Sequence, residues 1–227
     1  RAGGDVVKDR LVDRRFHGGR GVERREAAAP RLPERGAGPE GRGGGGGGAP
    51  PAARPGIVAL PAGAPIRDAR GRCIPSLYAA STVEAAIHET IFHDIPAGAG
   101  RATVPETLIR GRAHGRLEIL RDLRLASLRA PDLRRWRIRR DEPIGAPPGL
   151  YPETARWAAA IHRSCPDVEG LVWTANRCDP ESAWLSFGDR VAPVDFRVVA
   201  VRDGRADASL LADARAAGRR CGIAIVV

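Results

Sequence analysis

The sequence predicts a mixed α+β fold, with short strands forming mixed sheets beside several helices, and three observations carry that prediction. A capped amphipathic helix follows a short strand near residue 80, compact apolar runs crowd the region after Gly170, and no regular βαβ alternation links them into a doubly wound sheet. The chain has 227 residues, enough for one domain of ordinary size and a tail. Residues 1–56 are rich in Arg, Gly, Pro and Ala, contain the run Gly43–Gly48, and show no sustained periodicity. They bury too little apolar surface to offset the entropy of ordering, so a low-complexity, disordered tail is expected there and a folded domain over 57–227.

Within that domain a short apolar run, Ile57–Leu60, precedes a turn-rich stretch to Pro75, and Ser76–Ala79 reads as a strand. Ser81 and Glu84 have the S-x-x-E spacing of a capping box, which starts a helix at Thr82. Val83, Ala86, Ile87, Thr90 and Ile91 then form one mostly apolar face. Glu89 lies about 120° from the middle of that face, flanked by Ala85 and Phe92, the setting of a cleft wall. On the helix alone, an ordinary surface carboxylate is the better reading. Further on, TLIRGRAHGRLEIL reads as short strands broken by Gly111 and Gly115, and Asp122–Leu128 as another strand. Pro131–Trp136 fits a short helix and DEPIGAPPG a loop. Pro152 sits at a first helical position, with a helix running to about Ser164. GLVWT, AWLSF and FRVVAV are three strands, Ala206–Ala217 a helix, and GIAIVV a final strand.

Composition narrows the function. The net charge of +10 is almost wholly Arg, with Lys8 the sole lysine, a pattern that GC-rich coding produces as readily as selection for charge. Weak polyanion binding through the basic tail is the most it supports, since neither helix-turn-helix nor zinc-finger spacing occurs. No apolar run reaches the roughly 20 residues that span a bilayer, and no signal-peptide pattern opens the chain; a soluble, cytoplasmic protein with free thiols is expected. Cys73, Cys165, Cys178 and Cys221 lack C-x-x-C spacing and a His at metal-ligand spacing. His88, Glu89 and His93 miss the zinc-protease motif by one residue, which sets the imidazoles about 140° apart. The glycine run is followed by Ala-Pro-Pro, so it is no phosphate cradle, and no G-x-S-x-G elbow occurs.

What remains is a set of blocks in order: SLYAASTVEAAIHETIFHDIP, YPETARWAAAIH, GLVWTANRCDP and SFGDR. Over roughly Ala64–Arg190 these resemble the RES domain family, the toxin half of bacterial RES–Xre toxin–antitoxin pairs. The resemblance implies the fold of the ADP-ribosyltransferase toxins and cleavage of the nicotinamide–ribose bond of NAD, by phosphorolysis or hydrolysis. It also implies an Xre-like antitoxin partner, NAD as substrate with inorganic phosphate as co-substrate where the cleavage is phosphorolytic, and no required metal or cofactor. It places the family's Glu on Glu89 and its preceding aromatic on Tyr78, the two catalytic candidates. The family's Arg falls on Ala62, leaving Arg67, Arg70 or Arg72 to bind phosphate groups. Its Ser falls on Ala175, leaving Asn176, Ser182 or Ser186 to supply a polar contact. One account joins Ala62 to the tail: residues 1 to about 63 are a frameshift product or a mistaken gene start. The alternative is a degenerate, non-catalytic domain that retains NAD or antitoxin binding.

Overall fold

The computed structural model describes residues 65–96, 100 and 102–227, together with the backbone of three short segments, Leu11–Val12 (β1), Arg14–Phe16 (β2) and Glu26–Ala27 (β3). Those segments apart, residues 1–64 lie outside the described residues, and with them most of the expected tail, the Ile57–Leu60 run and Ala62. The remaining order is β4 (Ser76–Ala80), α1 (Val83–Thr90), β5 (Ala102–Pro105), α2 (Glu106–Arg110), β6 (Ala113–Ile119), β7 (Leu123–Ser127), α3 (Ala130–Arg135), α4 (Tyr151–Ser164), β8 (Gly170–Thr174), β9 (Ser182–Phe187), β10 (Phe196–Asp203), α5 (Ala208–Cys221) and β11 (Ile223–Val226). This is the α+β class the sequence predicts. No helix among the described residues is long and apolar enough to cross a membrane.

A five-stranded sheet in the order β2-β7-β8-β9-β4 forms the centre. β7 and β8 are parallel, while β9 runs antiparallel to both β8 and β4. Every residue of β9 is buried, and its side chains alternate between two cores as a period of two requires. Ala183, Leu185 and Phe187 face a core shared with Ala158 and Ile161 of α4, whereas Trp184 faces Leu123, Leu125 and Val172 and packs against Leu117 and Phe196. A third core joins α1, α2 and α5 through Ile87, Phe92, Ile109, Leu210 and Leu211. Burying each of these large side chains contributes about 1.5–3 kcal/mol. Two further pairs flank the sheet: β6 with β10, antiparallel, and β5 with β11, parallel. Gly170 is dictated by packing, because a Cβ there would lie 2.0 Å from the Leu185 carbonyl oxygen and 2.9 Å from Leu125 Cδ2.

Three local expectations change. The α1 cap is Thr82, whose side chain accepts from the Ala85 N–H at 3.2 Å. Ser81 is drawn instead to the start of β9, where its Oγ donates to Glu181 and accepts from the Ser182 N–H. The expected strand at Leu108 is the short helix α2, closed by Arg110 and Arg215 on the Glu106 carboxylate. β6 then runs unbroken through Gly115, which pairs with Val201, so neither Gly111 nor Gly115 divides a strand. The last helix is longer than expected: Asp207 caps it at the N-terminus, and Gly222, at φ 76°, ends it in the left-handed conformation that glycine adopts most easily.

Candidate active site

Three elements bring the site together. β4 pairs with β9 in a register that sets Tyr78 opposite Leu185, and it feeds directly into α1, where Glu89 occupies the penultimate position. α4 closes the third side with Tyr151 at its first turn. Between them lies a cavity of about 230 Å³ whose polar lining includes Tyr78, Glu89, His93, Asp94 and Tyr151, set in walls of alanine, leucine and isoleucine side chains and Trp173. That volume is below the roughly 300–1,000 Å³ of pockets that enclose a whole ligand, and suits one end of a larger molecule.

Glu89 Oε1 accepts from the backbone N–H of Asn176 and from Trp173 Nε1 at 3.3 Å. Its other carboxylate oxygen makes no hydrogen bond among the described residues, which leaves it available to the cavity. Burial pushes the Glu89 carboxyl above the usual carboxylate range; the Asn176 N–H, the His93 and Arg140 charges and the Trp173 N–H hold it back. Arg140, reached only after the α3 turn, is anchored by an Nη2 bond to the Thr174 carbonyl at 2.9 Å. Opposite, the Tyr151 hydroxyl lies 2.9 Å from His93 Nδ1 and donates to Asp94, and His93 Nδ1 is 3.0 Å from the same Asp94 oxygen. Burial and the Asp94 carboxylate both raise the Tyr151 pKa, and burial raises that of Tyr78, so both phenols stay protonated donors. The arrangement can stabilise a positive charge beside Glu89 while phenol O–H groups face the same space.

The two catalytic candidates, Glu89 and Tyr78, meet across this cavity, and Asn176 contributes through its backbone N–H. The others are held elsewhere. Arg67 and Arg72 are exposed in the Arg67–Cys73 turn, where Arg67 Nη1 donates to the Gly71 carbonyl at 2.8 Å and Arg72 Nε to Asp68 at 2.7 Å. Neither lines the cavity. Ser182 is buried beside it, its Oγ accepting from Arg129 Nη2 at 2.6 Å. Ala175 is fully buried. The SFGDR block is a fastening: Arg190 donates to the carbonyls of His162, Cys165 and Val168 at the end of α4, and lies over the Phe187 ring. Trp173, His93 and Asp94 complete the cavity lining, and Arg140 acts on Glu89 through its charge; the first three lie in blocks singled out in the sequence, but their roles depend on partners far along the chain or beyond a helix end.

A second cluster lies on the far side of α1. Glu84, His88 and Cys178 each present a ligand atom, all within 4.8 Å of one another. Burial lowers the His88 pKa, which keeps the imidazole neutral, and burial followed by the Glu84 and Glu181 charges pushes the Cys178 thiol up to about 11.

Fold and cavity together define an α+β domain whose phenol-lined pocket holds two carboxylates, Glu89 and Asp94. The comparisons narrow it: the family model for the RES domain matches residues 52–209, and the chain belongs to that family. The crystal structure of the M. tuberculosis MbcT–MbcA toxin–antitoxin complex contains a chain similar to this one at 16% identity, over 63% of this chain and 72% of that one, with a TM-score of 0.44. No curated protein matches.

Proposed function

We propose that this chain cleaves the nicotinamide–ribose bond of NAD as the toxin of a toxin–antitoxin pair. The observation that carries the reading is Glu89: a half-buried carboxylate with one oxygen fixed by two N–H donors and the other available to a cavity sized for one end of a dinucleotide. Loss of nicotinamide leaves an oxocarbenium-like ribose, and a fixed carboxylate beside it stabilises charge that exists mainly in the transition state. Tyr78 would hold the leaving nicotinamide by its O–H or ring face, and Tyr151 would orient the ribose. Arg140, whose charge acts on the Glu89 carboxyl, would meet the attacking phosphate or the dinucleotide's own phosphates from just outside the cavity lining, since Arg67 and Arg72 are bound in their own turn. No metal is needed for these steps.

Incubating the purified chain with NAD, with and without inorganic phosphate, tests the reading. Nicotinamide release is the expected result, and phosphate stimulation would identify phosphorolysis; no release under either condition overturns it. Co-expression with an Xre-like helix-turn-helix protein should yield a complex and suppress that release. A second reading, a domain that binds NAD without cleaving it, draws on Ala175, which offers no hydroxyl at the position where the family has Ser. NAD binding without nicotinamide would favour it.

A further inference from the structure

We propose that Glu84, His88 and Cys178 form a zinc site that clamps α1 to the loop 175–181. Glu84 and His88 stand four residues apart and so share one face of the helix. Cys178 comes from a loop drawn tight by the Ala175 N–H on the Glu181 carbonyl and the Glu181 N–H on the Cys178 carbonyl, both at 2.8 Å. His88 is only 4% exposed, yet neither of its ring nitrogens makes a hydrogen bond among the described residues, and Nδ1 is wholly buried. A buried imidazole ordinarily finds a partner. Here the thiol and the carboxylate beside it supply the two ligand types that complete an N, S, O set, which suits Zn²⁺ over Mg²⁺ or Ca²⁺.

The geometry needs little adjustment. Bonds of about 2.0–2.3 Å place tetrahedral ligands roughly 3.3–3.8 Å apart, so a cluster spanning 4.8 Å closes by about 1 Å, within the rotation of the partly exposed Glu84 side chain. Arg220 now pairs with Glu84 at 2.6 Å, but it is 72% exposed and can leave without breaking a buried contact. Metal entry displaces the Cys178 proton to solvent, and water takes the fourth position. Because Asn176, two residues before Cys178, donates its N–H to Glu89, the clamp also fixes the loop that reaches the cavity. The site stands whether or not the chain cleaves NAD.

Titration of the full chain with Co²⁺ and then Zn²⁺ tests the proposal. One Co²⁺ per chain should give a thiolate-to-cobalt charge-transfer band that Zn²⁺ bleaches, and Zn²⁺ should raise the thermal midpoint. Cys178→Ser should abolish the band and His88→Gln should weaken binding by at least about 100-fold, since losing even an outer-shell partner costs roughly 10–100-fold, while Cys73→Ser/Cys221→Ser keeps both signals. Absence of the band in the unaltered chain, or the same band in Cys178→Ser, overturns the assignment.

Discussion

Replacing Glu89 with Gln separates the charge of this side chain from its shape. The amide oxygen can still accept from the Asn176 N–H and from Trp173 Nε1, so the hydrogen bonds that orient it survive, while the negative charge beside the cavity is lost. Removing one preorganised electrostatic contact from a water-poor site costs about 2.7–4 kcal/mol of transition-state stabilisation, or 10²–10³-fold in turnover. Folding should not suffer, because burial disfavours the ionised form that Gln replaces; the thermal midpoint of Glu89→Gln should equal or exceed that of the parent chain. The assay is nicotinamide release at saturating NAD, followed by a melting curve on the same preparation. A variant that turns over NAD at the parental rate refutes the role of Glu89, and one that loses activity together with its thermal midpoint refutes the claim that charge alone was removed.

The surrounding structure gives four more expectations. Trp173→Phe keeps the ring but removes the 3.3 Å N–H bond to Glu89, and should lower turnover about tenfold, the lower end of what a hydrogen bond to a charged group contributes. Arg190→Ala strips three carbonyls at the end of α4 of their donor and should destabilise by about 3 kcal/mol, read as a shift in urea midpoint at unchanged slope. Gly170→Ala forces a methyl group against the Leu185 carbonyl and should cost about 3 kcal/mol or more, visible as poor soluble yield or a depressed melting temperature. His114 is buried with its Nδ1 accepting from Arg202 at 3.2 Å, and burial, then the Arg202 charge, holds its pKa below 6.5. The unfolded chain therefore takes up a proton that the folded chain refuses. This share of stability is complete above about pH 6.5 and is lost as pH falls, so the parent chain should lose more of its melting temperature on acidification than His114→Gln does.

Local signals found what they could reach. The helix bearing Glu89 was legible because periodicity and a hydroxyl–carboxylate pair act within one turn, although the cap fell on Thr82 once β9 claimed Ser81. β8 and β9 stood out because strands buried on both faces are continuous apolar runs. α2 was hidden because five residues are too few for a periodic pattern, and the local Glu106–Arg110 pair is completed by Arg215 of another helix, a tertiary bond the sequence does not show. Glu89 and Tyr78 were readable through the order of the family's blocks. The same blocks contain His93, Asp94, Tyr151 and Trp173 but give them no role, because their bonds to one another and to Glu89 appear only once the fold brings them together; Arg140 lies outside the blocks altogether. Spacing likewise set His88 against His93, whereas the fold sets it beside Cys178, ninety residues on.

β9 is inserted between β4 and β8, and Glu89 takes its two donors from residues that follow it by 84 and 87 positions. During synthesis at about 5–20 residues per second, roughly 5–20 s pass between the appearance of Glu89 and the completion of β9 at Phe187. Until then β4 has no neighbour in the sheet and the carboxylate has no fixed orientation. The cavity beside Glu89 is therefore among the last features of the fold to form, because β4, α1 and the Trp173 and Asn176 donors meet only once β9 has been made.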